Sequence, residues 1–357
     1  MNSALLWWPG APYATHEVAA GLAHGLAALG VRVEHYATNA HIEASGRYLD
    51  LLWRECGKPE AKPNDADVLY HAAVGVLERA HRTAVEWVVI VSGMYQHPDV
   101  VLWLRRAGFK VALVCTESPY DMAGELSLSR LVNHVFTNER TTAAMFATTC
   151  RSVSVLRHAW HPEAHTPDLG ADVQDVPEHD VVFVGTGFIE RVRMLEAVNW
   201  DGIDLGLYGN WTLVPARSRL RKHIRGREIR NQAVAGLYRR AKVGINLHRT
   251  SQRYSKDTLH VARAESLNPR AYELAACGLF FVSDYRAEVP EVFGNTVPTF
   301  RTGAELEHLL RSWVAATPAT RLQRAGEIRQ AVAQEHWVTR AQQLVSELTM
   351  SPQRAAA

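Results

Sequence analysis

Glu265-Ser-Leu-Asn-Pro-Arg-Ala-Tyr-Glu273-Leu-Ala-Ala-Cys-Gly278 runs directly into an apolar stretch, Leu279-Phe-Phe-Val-Ser283. Asn268 is a good N-cap, Pro269 suits the first helical position, and Gly278 suits the position just past a helix end. The spacing predicts a helix of about three turns or fewer, followed by a buried strand. Two carboxylates, Glu265 and Glu273, stand with seven residues between them, one before the helix and one inside it. Carboxylates accept from hydroxyls, and a helix N-terminus favours an anion. The pattern suits a ligand carrying both groups, of which a nucleotide sugar is one. The plain alternative pairs Glu273 with Arg270 one turn away and leaves Glu265 as a solvated loop residue.

Outward from this segment the chain alternates strand and helix. Leu5–Trp8, Val31–Tyr36, Trp87–Val91, Lys110–Cys115, His134–Thr137 and Val153–Leu156 read as strands, with a first helix over Thr15–Leu29. Trp87–Val91 and Lys110–Cys115 are near-continuous apolar runs, as expected of parallel strands covered on both faces. A polar, proline-bearing stretch then interrupts the pattern, with Pro162, Pro167 and Gly170 in it. Strands resume at Val181–Val184, Ile203–Tyr208, Val243–Leu247, Leu279–Ser283 and Thr296–Phe300. The fold class is α/β, with two doubly wound, Rossmann-like domains facing across a cleft at the carboxyl ends of their strands.

A chain of 357 residues, 47% apolar and 21% charged, has the length for two ordinary domains. Its net charge of +2 makes no general case for polyanion binding. No run is long enough to cross a bilayer, and the start lacks a basic n-region, so a cytoplasmic location is expected. The four scattered cysteines form no C-x-x-C pair and are expected to be reduced. Pro9-Gly10-Ala11-Pro12 follows the first strand where a nicotinamide dehydrogenase would carry G-x-G-x-x-G.

The Glu265–Gly278 segment resembles the donor-binding element of GT-B glycosyltransferases, whose retaining branch carries this acid pair before a helix ending in Ala-Cys-Gly. Four more segments resemble the spore-maturation CgeB-like group of glycosyltransferases. They are Thr116-Glu-Ser-Pro-Tyr-Asp121, Val135-Phe-Thr-Asn-Glu139, Leu156-Arg-His-Ala-Trp-His-Pro-Glu-Ala-His-Thr-Pro167 and Val181-Val-Phe-Val-Gly-Thr-Gly187. That group commonly has Asp where this chain has His161. The resemblance covers most of the chain and implies a glycosyltransferase group 1 type C-terminal domain. It implies an acceptor-side domain over 1–157, a linker over 158–177, a nucleotide-sugar-binding domain over 178–336, and a helix over 337–357 crossing back to the first domain. The implied reaction moves a sugar from a nucleotide-diphosphate sugar, foremost a UDP-sugar, to a protein, glycan or modified nucleic acid. Retention and the absence of any cofactor or metal are expected with it.

The resemblance also assigns roles. Glu273 would accept from the ribose hydroxyls, Glu265 would meet hydroxyls of the transferred sugar, and the backbone around Asn268, beside Arg270, would face the phosphates. Gly185-Thr186-Gly187 follows a strand and opens a helix near Phe188, so close backbone approach and the helix dipole suit a diphosphate. Arg191, with Arg193 as fallback, would contact that diphosphate, and His248 would line the donor pocket. In place of a D-x-D-type metal motif, Arg191 and two helix N-termini would stabilise the leaving charge. An inverting outcome would need a base, for which His16, Glu117 and Asp121 are candidates, each equally suited to be a helix cap. These three and Glu265 make up the candidate catalytic set. His158, His161 and His165 would not align as metal ligands, because Pro162 breaks any helix through them. The basic run from Arg217 to Arg230 reads as a solvated helical face, or as an attractor for an anionic acceptor. Two further readings remain open: a sugar-nucleotide epimerase, and a non-catalytic module binding nucleotide or polyanion.

Overall fold

Strands covered by helices on both faces must be apolar throughout, and the runs that meet this condition build two parallel sheets. The computed structural model describes residues 1–10, 14–167, 177–226, 231–261 and 263–350. The first sheet contains β1 (Ser3–Trp8), β2 (Arg32–Ala37), β3 (Trp87–Val91), β4 (Lys110–Val114), β5 (His134–Thr137) and β6 (Val153–Val155), in the order β2-β1-β3-β4-β5-β6. The second contains β7 (His179–Val184), β8 (Leu205–Tyr208), β9 (Ile224–Gly226), β10 (Ala241–Asn246), β11 (Phe281–Asp284) and β12 (Thr299–Phe300), in the order β12-β11-β10-β7-β8-β9. Every pairing is parallel; Leu6 faces Val89 in the first sheet and Ile245 faces Val282 in the second. All five residues of β3 are buried.

The chain divides into two units, one built from Met1–Arg157 and the segment beginning at Trp337, the other from His158–His336. Each has its own core. Leu5, Trp7, Ile90, Leu113 and Phe146 pack in the first, and Phe183, Tyr238, Ile245, Tyr272 and Phe281 in the second. Within the first unit the helix Ala14–Ala28 packs on the helix Trp337–Met350. The approach is close enough to require glycine: a Cβ on Gly25 would lie 2.4 Å from the Trp337 carbonyl oxygen. No helix among the described residues is long and apolar enough to cross a membrane.

Three sequence expectations need correction or narrowing. Residues 279–280 close the preceding helix instead of starting a strand. Gly278 takes φ +73° and the Leu279 N–H donates to the Leu274 carbonyl at 3.1 Å, so β11 begins only at Phe281. The basic run is no helical face. Ser218 caps a 3-10 turn over Arg219–His223, which leads into the edge strand β9. Leu220 and His223 are buried there, and Arg225 pairs with Asp204 at 3.1 Å; charge on a sheet edge discourages further pairing. Arg227 and Arg230 lie outside the described residues, as do Ala11, Pro12 and Gly170. Of the linker, Trp160 belongs to the second unit's packing: its indole donates to the Val332 carbonyl at 2.9 Å. Residues 168–176 lie outside the described residues.

Candidate active site

In the second unit the chain leaves β7 for β8 on one side, while β10 pairs with β7 on the other. Such a switch in strand order opens a crevice at the carboxyl ends, where ligands of this fold class bind. The loop Gly185–Phe188 stands at the end of β7, and its backbone is already engaged. The Gly185 N–H donates to the Tyr208 carbonyl at 2.9 Å, Gly187 to Asn210 at 2.7 Å, and Phe188 to Thr186 at 2.9 Å. The glycines are needed for packing: a Cβ on Gly187 would lie 2.4 Å from the Trp211 ring. The amides of Gly185 and Gly187 are therefore not open to a diphosphate. Arg191, in the first turn of the helix Ile189–Glu196, donates to the Thr186 carbonyl at 2.9 Å. Its guanidinium and that of Arg249 lie 5.4 and 4.7 Å from the Phe188 ring centroid. Arg193 is exposed, two residues on and so on another face of the helix.

His248, just past β10, is 2% exposed, with Nδ1 2.5 Å from Asp284 Oδ1 at the end of β11. Its backbone N–H also reaches both Asp284 oxygens, at 3.0 and 3.2 Å. Burial lowers the imidazole pKa against the opposing pull of Asp284. The ring is thus neutral at physiological pH, its Nδ1–H directed at Asp284 and its Nε2 lone pair left to accept. Nε2 is buried and has no partner among the described residues. Burial works against ionisation of Asp284 too, but His248 and Arg286 outweigh it and hold the carboxyl below its ordinary value.

The long connection from β10 to the helix Pro269–Ala276 is held at several points. Glu190 accepts from the Thr250 N–H at 2.6 Å, the Ser251 N–H at 3.0 Å and the Ser251 hydroxyl. Arg286 donates to the Ala264 and Arg249 carbonyls, and Glu288 accepts from the Leu267 N–H. The half-buried Glu265 rides on this connection, its carbonyl accepting from the Glu288 N–H at 3.1 Å. The sequence reading missed Glu190, Asp284, Arg286 and Glu288. The available signal was slight: Asp284 is the first charge after an apolar run, and Glu190 directly precedes Arg191.

Asn268 caps its helix, accepting from the Ala271 N–H at 3.2 Å and donating to the Leu247 carbonyl at 3.2 Å. Glu273 is 5% exposed, and the plain alternative for it is realised: Oε2 lies 2.6 Å from Arg270 Nη1, which also donates to the Tyr238 hydroxyl at 2.6 Å. Burial opposes the charge on Arg270, but Glu273 and Tyr238 raise its pKa overall. No other hydrogen-bond partner of the Glu273 carboxylate is found among the described residues, so one oxygen is left for a ligand hydroxyl. His165, 3% exposed, feels the same pair; burial lowers its pKa and Glu273 opposes this. Its Nδ1 accepts from the His161 N–H at 3.0 Å.

In the first unit His16 is exposed, its ring 5.2 Å from that of Trp8. Asp121 is exposed and Glu117 half-buried, and the Asp121 N–H donates to the Glu117 carbonyl at 3.1 Å. Beneath them lies a residue the sequence did not advertise. Glu125, 1% exposed, accepts from the Thr116 N–H at 2.6 Å, the Glu117 N–H at 2.9 Å and the Ser118 hydroxyl at 2.8 Å. Burial pushes its pKa up to about 7 against those three donors.

Residues 191–346 match the model of the glycosyl transferase-like family. Sucrose-phosphate synthase from Thermosynechococcus elongatus is similar in structure, at 13% identity over 98% of both chains and a TM-score of 0.65. A UDP-forming α,α-trehalose-phosphate synthase from Burkholderia xenovorans is 10% identical over 99% of this chain and 100% of its own, with a TM-score of 0.63. HepE from Anabaena, solved in complex with UDP, is 12% identical over 98% and 100%, with a TM-score of 0.59. The fold is therefore that of the GT-B class, with two Rossmann-like units. No curated protein sequence matches the chain.

Proposed function

We propose that the chain is a glycosyltransferase that moves a sugar from a nucleotide-diphosphate sugar, with the donor held by the second unit. The observation that carries this reading is the convergence of Arg191, Arg249 and the buried His248 on one edge of one sheet. That edge lies almost wholly within the stretch matching the glycosyl transferase-like family. The two guanidiniums supply positive charge where a diphosphate departs. The neutral His248 Nε2 accepts from a hydroxyl, and the unengaged oxygen of Glu273 accepts from another, so the donor is read by its hydroxyls as well as its phosphates. With two cations in place for the leaving group, no metal or resident cofactor is needed, and transfer survives EDTA within a small factor. Retention follows if the departing phosphate takes the acceptor proton on the same face. A UDP-sugar is the first donor to test, in keeping with the UDP-forming synthase and the UDP complex among the structural neighbours. Membership of the CgeB-like group is proposed on the five sequence segments alone.

The deciding experiment is a thermal-shift screen of UDP-, GDP-, TDP- and ADP-sugars. A donor at about a hundred times its Kd stabilises the protein by about 2.7 kcal/mol. A screen in which no nucleotide sugar moves the transition sinks the reading. Turnover of a nucleotide sugar to its epimer with no acceptor present would favour the epimerase.

A further inference from the structure

The loops that leave β3, β4 and β5 in the first unit meet one another. A Cβ on Gly93 would lie 2.6 Å from the Glu125 nitrogen, and Asn138 Nδ2 donates to the Ser118 carbonyl at 3.1 Å. Around that junction stand buried polar atoms without hydrogen-bond partners among the described residues: both side-chain atoms of Gln96, Thr116 Oγ1 and Asn138 Oδ1. Gln96 is only 4% exposed. An amide buried with neither its oxygen nor its nitrogen paired destabilises a fold, and such groups persist where a ligand completes them.

Beside Gln96 stands Tyr95, a residue 38% exposed whose φ is +64°; Ser92, in the same loop, takes +71°. Bulky residues rarely enter the left-handed region, and where they do the strain is commonly functional. Here the strained loop leaves an aromatic residue partly exposed beside the unpaired amide of Gln96. An exposed ring flanked by neutral hydrogen-bonding groups suits a sugar, whose ring faces are apolar and whose edge is hydroxylated.

Charge narrows the class. Residues 1–31, 92–104 and 111–129 contain no Lys or Arg, whereas Glu117 and Asp121 both follow β4. The cations that follow β5 and β6, Arg140 and Arg157, already have partners. A phosphorylated sugar would meet carboxylates at this rim with no cation in those loops to offset them.

We infer that the carboxyl rim of the first sheet binds a neutral, unphosphorylated sugar, stacked on Tyr95 and hydrogen-bonded by Gln96, Thr116 and Asn138, and that this sugar is the acceptor. Its role as acceptor rests on the transferase reading; its binding does not.

Saturation-transfer NMR on the full chain with UDP present tests it, using methyl glycosides of glucose, galactose and mannose beside the corresponding sugar 6-phosphates. At least one neutral glycoside shows transfer to its ring protons. Tyr95→Ala weakens that binding about tenfold and Tyr95→Phe preserves it. Gln96→Leu weakens it by a similar factor while leaving Tm unchanged or higher, because an unpaired buried amide has been removed. A fall in Tm with Gln96→Leu would mark the residue as structural and overturn its assignment. Binding of the 6-phosphates alone, binding indifferent to both positions, or no transfer from any probe overturns the inference. If glycosides bind here but no nucleotide sugar shifts Tm, the transferase reading has failed and the sugar site stands.

Discussion

Glu273 has one protein partner and, in the proposed function, one ligand hydroxyl, so its removal should be read on two axes. It anchors the half-buried Arg270 at 2.6 Å while its other oxygen has no partner among the described residues. Glu273→Gln keeps an acceptor for Arg270 but loses the charge; a stability loss of about 1–2 kcal/mol and a fall in kcat/KM of roughly 10- to 100-fold are expected. Unchanged kinetics in the folded variant would take Glu273 out of the site. Arg191 differs, because the proposed reaction develops its negative charge beside this guanidinium. Arg191→Ala should raise the barrier by about 2–4 kcal/mol, whereas the exposed Arg193→Ala should be silent; the reverse pattern in steady-state kinetics would assign the cation wrongly. Glu125 makes a prediction about pH. Its folded pKa of about 7 lies above the ordinary 4.5, chiefly through burial and with a contribution from Glu117, so the folded state holds a proton the unfolded state has released. Its contribution to stability is complete below about pH 4.5 and declines as pH rises through about 7. The total is on the order of 3 kcal/mol. Denaturant midpoints at pH 5 and pH 8 should converge in Glu125→Gln relative to the parent. Parallel profiles would show that the carboxyl does not titrate in this window.

Elements were legible where the sequence is locally consistent and lost where a distant partner decides. Trp87–Val91 is apolar without interruption and became β3 with those bounds. The helix start at Asn268-Pro269 followed from residue chemistry alone. β9 was hidden because three residues embedded in a basic run carry no period, and only the free edge of β8 makes them a strand. The same distance effect hid parts of the site. His248 could be placed at a strand end, but its pairing with Asp284 depends on two strands lying in register. Glu125 reads as an ordinary helical acid until the Thr116–Ser118 loop is folded over it. The contact between the helices Ala14–Ala28 and Trp337–Met350 supplies a test at this scale. Gly25→Ala drives a methyl into a backbone carbonyl that no rotamer change can move, so a loss of about 1–3 kcal/mol is expected. Hydrogen exchange should show the C-terminal helix losing protection first. Uniform loss across the first unit would mean that the helix is not separately held.

At the scale of the whole molecule, two separate cores imply two responses to ligand. A nucleotide bound by the second unit should raise amide protection within 177–336 and leave the core strands β1, β3 and β4 nearly unchanged. Equal protection of both units would overturn the assignment of the donor to the second unit.

The first unit is assembled from the two ends of the chain, with the second unit inserted between them. On the ribosome this inverts the usual N-to-C order of maturation. Residues 158–336 emerge with every strand of their own sheet. The segment made before them must wait, its helix Ala14–Ala28 uncovered along the face that holds Gly21 and Gly25, until Trp337–Met350 leaves the exit tunnel. For the length of that interval the earlier-made portion of the first unit is the part most in need of a chaperone.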